Sequence, residues 1–217
     1  MKTNEERLKA LMDCLDGLTH VKPEQIPDID LYMDQVTTFM EEHLKDTRRY
    51  PEDKVLTKTM INNYAKNNLL PPPVKKKYSK DHMLMLIFIY YFKSVLAFND
   101  IETLFAPITS RHFSGSTGTS KLSLEDIYRE VFTLEDGEMK NLKADAAAKF
   151  ERAMETFKDA PVTGEERDYL QLFSFICELS FDVYLKKQMI EMLADELKAE
   201  LPAPRQKGKA PKNTPAV

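Results

Sequence analysis

Asn62 and Asn63 are the residues of this chain best suited to specific chemistry. A side-chain amide offers a donor and an acceptor side by side, and that pair matches the edge of adenine in a DNA major groove. The two amides sit among Lys58, Thr59 and Lys66, and Lys75, Lys76, Lys77 and Tyr78 follow soon after. Lysines on such a stretch suit phosphates, whose counterions they release on contact. The chemistry to which this set points is contact with duplex DNA. Asn62 and Asn63 would read bases. Thr57, Lys58, Thr59, Tyr64 and Lys66 would position on the backbone, and Lys75, Lys76, Lys77 and Tyr78 would hold the flanking phosphates. A solvated helix followed by a charged loop has the same composition, since lysine runs are common on surfaces.

The residues need an element to aim them. Thr57 is a good helix N-cap, because its hydroxyl can accept from a free amide of the first turn. From Lys58 to Lys66 the residues split into two faces at about 100° per residue. Met60, Ile61, Tyr64 and Ala65 share one side. Lys58, Thr59, Asn62, Asn63 and Lys66 share the other, with no carboxylate among them. A helix this short is unstable alone, so its apolar face must dock on a scaffold. Pro71-Pro72-Pro73 then forbids helix continuation and favours an extended path carrying the three lysines.

The stretch LTKTMINNYAKNNLLPPPVKKKYSKDHM, Leu56 to Met83, resembles the DNA-binding head of MerR regulators. The likeness lies in a helix with Tyr64 near its end, the Leu69-Leu70-Pro71 step, a wing, and Tyr78-Ser79 opening a further helix. More closely, the chain resembles the MerR-like domain-of-unknown-function family eighteen-thirty-six, transcriptional regulators of the YkrK type, over Ile26 to Leu193. That resemblance implies a winged helix-turn-helix, with Thr57 to Asn67 as recognition helix and Pro72 to Tyr78 as wing. The sequence departs from the MerR pattern at Asn62, where arginine is usual, and at Asn63, where a second aromatic is usual. Its wing is shorter and lacks the usual glycine.

Charge is distributed in the same sense. The net formal charge of the 217 residues is only −4. Yet Arg48 to Lys80 holds nine Lys and Arg against Glu52 and Asp53, and the stretch from Pro202 holds four basic residues and no acid. A basic island on an acidic body fits local phosphate contact. Six glycines and few short alternating runs argue for a mainly α protein. Cys14 and Cys177 form no metal or disulfide pattern. No signal peptide or membrane-length apolar run is seen, so a cytoplasmic setting is the default. No phosphate loop, nucleophile elbow or HExxH pattern appears, and the histidines are scattered. The expectation is no metal, no cofactor and no enzymatic reaction.

In chain order, residues 1–25 form a helical arm with Leu8, Leu11, Met12, Leu15 and Leu18 at helical spacing. Residues 26–108 form the winged helix-turn-helix region. It opens with a helix from Asp30, whose stripe is Leu31, Val36, Phe39, Met40 and Leu44. Arg48 and Arg49 in the following connection are placed either to touch phosphate or to pair with Glu41 or Glu42. Ser79 caps a helix whose run Met83 to Phe92 is apolar on all sides, and so buried. Asn99 caps a short helix through Phe105, ended by Pro107. Residues 109–121 form a flexible loop. The segment 122–201 is a helical, dimerising region: a helix from Ser123 to Leu134, a turn at 135–138, a helix at 139–159, and a last helix from Thr163. In that helix Tyr169, Leu172, Ile176, Leu179, Val183, Lys186, Ile190, Leu193 and Leu197 alternate steps of three and four, a heptad seam whose partner is either the helix at 139–159 of the same chain or a second copy; the expectation is internal packing of one part and a homodimer through 165–200 on a second face. Residues 202–217 are a disordered basic tail. The functional expectation is a sequence-specific DNA-binding regulator. The alternative is a helical protein-interaction adaptor with a basic docking surface.

Overall fold

The computed structural model describes residues 2–114 and 120–201, without the side chains of residues 135 and 136. Among these residues there are seven α-helices and two short strands: α1 (Asn4–Asp16), β1 (Leu31–Tyr32), α2 (Met33–Leu44), α3 (Lys58–Lys66), β2 (Lys77–Tyr78), α4 (Lys80–Phe92), α5 (Phe98–His112), α6 (Leu124–Met154) and α7 (Gly164–Glu200). No described helix is long and apolar enough to cross a membrane.

The apolar run of α4 is the centre of the main core, as its all-round hydrophobicity predicts. Met83 to Ile89 are all buried, and α2 lays Val36, Phe39, Met40 and Leu44 into the same core. Phe88 stacks into an aromatic cluster with Phe92, Phe105, Tyr128 and Phe132. This core runs from Val21 to Phe132 and is the head of the molecule. The segment with Pro23 and Pro27 is anchored to it: Val21 and Ile26 are buried, and the Tyr128 hydroxyl donates to the Val21 carbonyl at 2.6 Å.

A second, smaller cluster lies at the far end of α6. Phe150, Ala153 and Phe175 are its buried members, with Leu8 and Leu11 of α1 packed over them. The N-terminal arm therefore covers the α6–α7 pair rather than the head. The two cores are joined by one continuous helix.

Four sequence expectations are corrected here. The helix from Asp30 begins later, and Leu31-Tyr32 instead form a strand antiparallel to β2, with Leu31 opposite Tyr78 and Tyr32 opposite Lys77. The α5 helix is preceded by Ala97, not Asn99, and runs through Pro107 to His112. Proline removes one amide but leaves its own carbonyl free to bond, so a helix already docked by Ile101 and Phe105 carries it. Residues 109–112 are thus helical, not loop, and 115–119 lie outside the described residues. The turn at 135–138 is absent: α6 is a single helix from Leu124 to Met154. The basic tail at 202–217 also lies outside the described residues.

Candidate nucleic-acid interface

The α3 helix is placed by three local devices. The Thr57 hydroxyl accepts from the Met60 amide at 3.2 Å, closing the N-terminus. Ile61 is fully buried and Tyr64 is 6% exposed, so the inner face is nailed to the head. At the C-terminus Asn68 adopts φ 62°, and Leu69 N–H donates back to the Tyr64 carbonyl at 2.9 Å. That is a Schellman ending with asparagine in the left-handed position usually given to glycine. Leu69 and Leu70 then plunge into the core, both fully buried.

The outer face of α3 is the one read from the sequence. Lys58, Thr59, Asn62, Asn63 and Lys66 are all exposed. Among the described residues no intrachain hydrogen bond engages the side-chain amide of Asn62 or Asn63. Lys58 pairs with Asp34 of α2, which brings one carboxylate to the edge of the set.

Lys75 and Lys76 lie not on an extended path but at the tip of a tight hairpin. Val74 N–H donates to the Lys77 carbonyl at 3.1 Å and Lys77 N–H to the Val74 carbonyl at 2.9 Å. Lys75 has φ 50° and Lys76 φ 65°. Two successive left-handed residues make a turn of the I′ kind, which normally calls for Asn-Gly. The lack of glycine here is therefore met by two strained lysines, both exposed, with no acidic partner among the described residues. Lys77 sits lower, its ammonium 5.2 Å from the centre of the Tyr32 ring.

Two assignments change, and the alternative left open for Arg48 resolves to pairing with Glu41. Tyr64 and Tyr78 are 6% and 3% exposed, so their rings hold the head together and do not lie on the contact face. Tyr64 packs near Phe98, with ring centres 6.0 Å apart. Arg48 is taken up by structure: it pairs with Glu41 at 2.5 Å and donates to the Pro51 carbonyl at 3.0 Å, organising the long connection before α3. Arg49 lies over the Tyr50 ring. Lys93, which sequence reasoning passed over, donates to the Val55 carbonyl at 2.8 Å and fixes the approach to α3 from the end of α4. Burial lowers its pKa.

His82 underlies the hairpin. It is buried, edge-on to both Tyr78 and Phe113, and its Nδ1 accepts from the Ser79 amide at 3.0 Å. Desolvation lowers its pKa below the ordinary histidine value, with the nearby Pro72 and Pro71 carbonyls and the charges of Asp81 and Asp30 acting in the opposite sense. The Ser79 amide has the same effect as burial, since a proton on Nδ1 would face that N–H. No sequence signal marks His82 beyond its place three residues after an N-cap serine.

The arrangement is a mainly helical protein whose basic, glycine-poor face is borne on a compact head. The chain belongs to the family described as Domain of unknown function (DUF1836), which it matches over residues 21–131. The matched segment is narrower than the resemblance read from the sequence and coincides with the head, from Val21 to the residue beside Phe132. No curated protein and no solved structure matches the chain.

Proposed function

We propose that this protein is a sequence-specific DNA-binding protein acting as a bacterial transcriptional regulator, with a MerR-like winged helix-turn-helix as its head. In this reading α2 and α3 are the two helices of the motif, α3 enters the major groove, and the 74–77 hairpin is the wing. Asn62 and Asn63 read bases; Lys58, Thr59 and Lys66 flank them; Lys75 and Lys76 reach the phosphates beside the groove.

The observation that carries the reading is the outer face of α3. Two exposed amides with no hydrogen-bond partner among the described residues stand between lysines, on a short helix held rigidly at both ends. Such a face is poor for packing and well matched to base edges and phosphates together. The strained lysine turn supports it, because left-handed non-glycine residues persist where function favours them.

The test is selection of bound duplexes from a random pool, with the wild type and with Asn62→Ala/Asn63→Ala. The expected result is one enriched motif that the variant loses while retaining salt-sensitive bulk binding. Failure of the wild type to enrich any sequence would favour the adaptor reading, with the lysine turn docking an acidic protein.

A further inference from the structure

The last turns of α7 carry two sets of residues. Ile190, Leu193, Ala194 and Leu197 recur at steps of three and four and form an apolar stripe. Glu196 and Glu200 lie one turn apart along the edge of that stripe. The stripe faces the head. Ala194 is 3% exposed, and its small side chain lets α7 come close there. Around it Phe92, Leu96 and Leu104 of the head stand opposite Ile190, Leu193 and Leu197 across an apolar groove of about 600 Å³. That volume falls within the roughly 300–1,000 Å³ of small-molecule sites, which favour junctions between packed units. One wall belongs to the segment that matches the family and the other, α7, lies outside the match.

The charges at the mouth are of one sign. Glu196 and Glu200 line it, both exposed, and neither has a hydrogen-bond or ion-pair partner among the described residues. Among the described residues no basic side chain lines the groove. Lys93, next to Phe92 in the chain, is engaged elsewhere. Its ammonium donates to the Val55 carbonyl at 2.8 Å and lies 4.5 Å from the centre of the Tyr90 ring. Like charges one turn apart on a helix repel, and a cation between them relieves the repulsion.

We infer that this groove binds a small amphipathic amine, with its apolar body against Phe92, Leu104 and Leu193 and its ammonium between Glu196 and Glu200. The walls select an apolar body, because the carboxylates are the only charged groups on them. The carboxylates select the head group. An ammonium carries three donors and no acceptor, so one such group can bond to both glutamates. A fatty acid would bring a third negative charge, and an alcohol would leave the two glutamates unrelieved. Size selects a small molecule: the walled stretch from Ile190 to Leu197 is about 10 Å long at 1.5 Å per residue, too short to seat a partner helix. The inference rests on the junction of α7 with the head and does not depend on DNA binding.

The experiment is calorimetric titration of the full chain, near neutral pH, with decylamine, decanol and decanoate, each below its aggregation limit. Decylamine is expected to bind at one site per chain. Decanol should bind about three- to fivefold more weakly, the margin an exposed ion pair allows, and decanoate more weakly still. Glu196→Gln/Glu200→Gln should bring decylamine down to the affinity of decanol and leave decanol unchanged. Leu193→Arg sets a guanidinium at the mouth and should weaken decylamine by about tenfold or more. Its helical circular dichroism should be unchanged, since Leu193 is 63% exposed. Phe181→Asp changes an apolar residue of α7 that is 65% exposed and outside the groove, and should leave binding as it is. No saturable binding of decylamine, equal affinity for the three head groups, or binding lost in Phe181→Asp and kept in Leu193→Arg would overturn the inference. Binding that appears only after removal of residues 202–217 would give the groove to that basic segment. A wild-type dimer that binds no amine and is dissociated by Leu193→Arg would give it to a second copy. Either result also overturns the inference.

Discussion

The N–H of Leu69 donates to the carbonyl of Tyr64 at 2.9 Å, and Asn68 between them stands at φ 62°. This one closure ends α3 and sends Leu69 and Leu70 into the core, so it sets the angle at which the Asn62–Asn63 face is presented. Glycine takes the left-handed conformation freely and a β-branched residue does not. Asn68→Gly is therefore expected to leave stability unchanged or raise it by a few tenths of a kcal/mol. Asn68→Val should lower it by about 1–2 kcal/mol. Urea unfolding followed by circular dichroism measures both, and equal stability of the two variants would refute the capping account.

The lysine turn allows stability and binding to be separated. Lys75→Asn/Lys76→Gly supplies the residues that a I′ turn prefers, and should raise stability by about 1 kcal/mol. The same change removes two ammonium groups from the proposed wing. Affinity should then fall alike on every duplex, and the slope of log affinity against log salt should become shallower by about 2. A stabilised variant with an unchanged salt slope would take the turn out of the DNA interface.

His82 makes the head sensitive to mild acid, with a definite sign. Its folded pKa is lowered, so the unfolded chain takes up the proton first as pH falls. The head should therefore have its full stability above about pH 6.5 and lose stability progressively below it, until the folded pKa is reached. His82→Gln keeps an acceptor for the Ser79 amide, as in a capping box, but does not titrate. Comparing melting temperatures at pH 7.5 and 5.5 tests this: the wild type should drop more than the variant. An identical drop would assign the acid sensitivity elsewhere.

How much of this was legible in the sequence depends on range. The two faces of α3 follow from a 3.6-residue period, and its exposed set is the one that spacing predicts. The burial of α4 follows from a run with no polar side. Pairing of Leu31-Tyr32 with Lys77-Tyr78 left no such trace, because two-residue strands have no period and their partners lie far apart in sequence. The same pairing explains why Tyr78 looked like a phosphate ligand: its neighbours are lysines, and only the strand turns its ring inward. The hairpin was hidden because its left-handed positions are filled by lysine. On α7 the period was plain but its phase was not, since Phe175 and Phe173 are equally apolar and only packing on Phe150 decides which faces in.

Gly137 is the sharpest case, and it supports a last prediction. Within E-D-G-E it reads as a turn, since glycine and acidic residues favour turns. The structure places it inside α6, exposed, with nothing within 4 Å of a Cβ built there. Helix-forming residues on both sides, anchored by Tyr128 at one end and Phe150 at the other, outweigh a single glycine, whose cost in a helix interior is about 1 kcal/mol against alanine. Gly137→Ala should therefore stabilise the protein by about 0.5–1 kcal/mol, because it restricts the unfolded chain and meets no atom in the folded one. A turn glycine at positive φ would give the opposite sign. Thermal unfolding of Gly137→Ala decides between them: a raised melting temperature means that one rigid helix couples the head to the second core, and a lowered one means that a turn separates them.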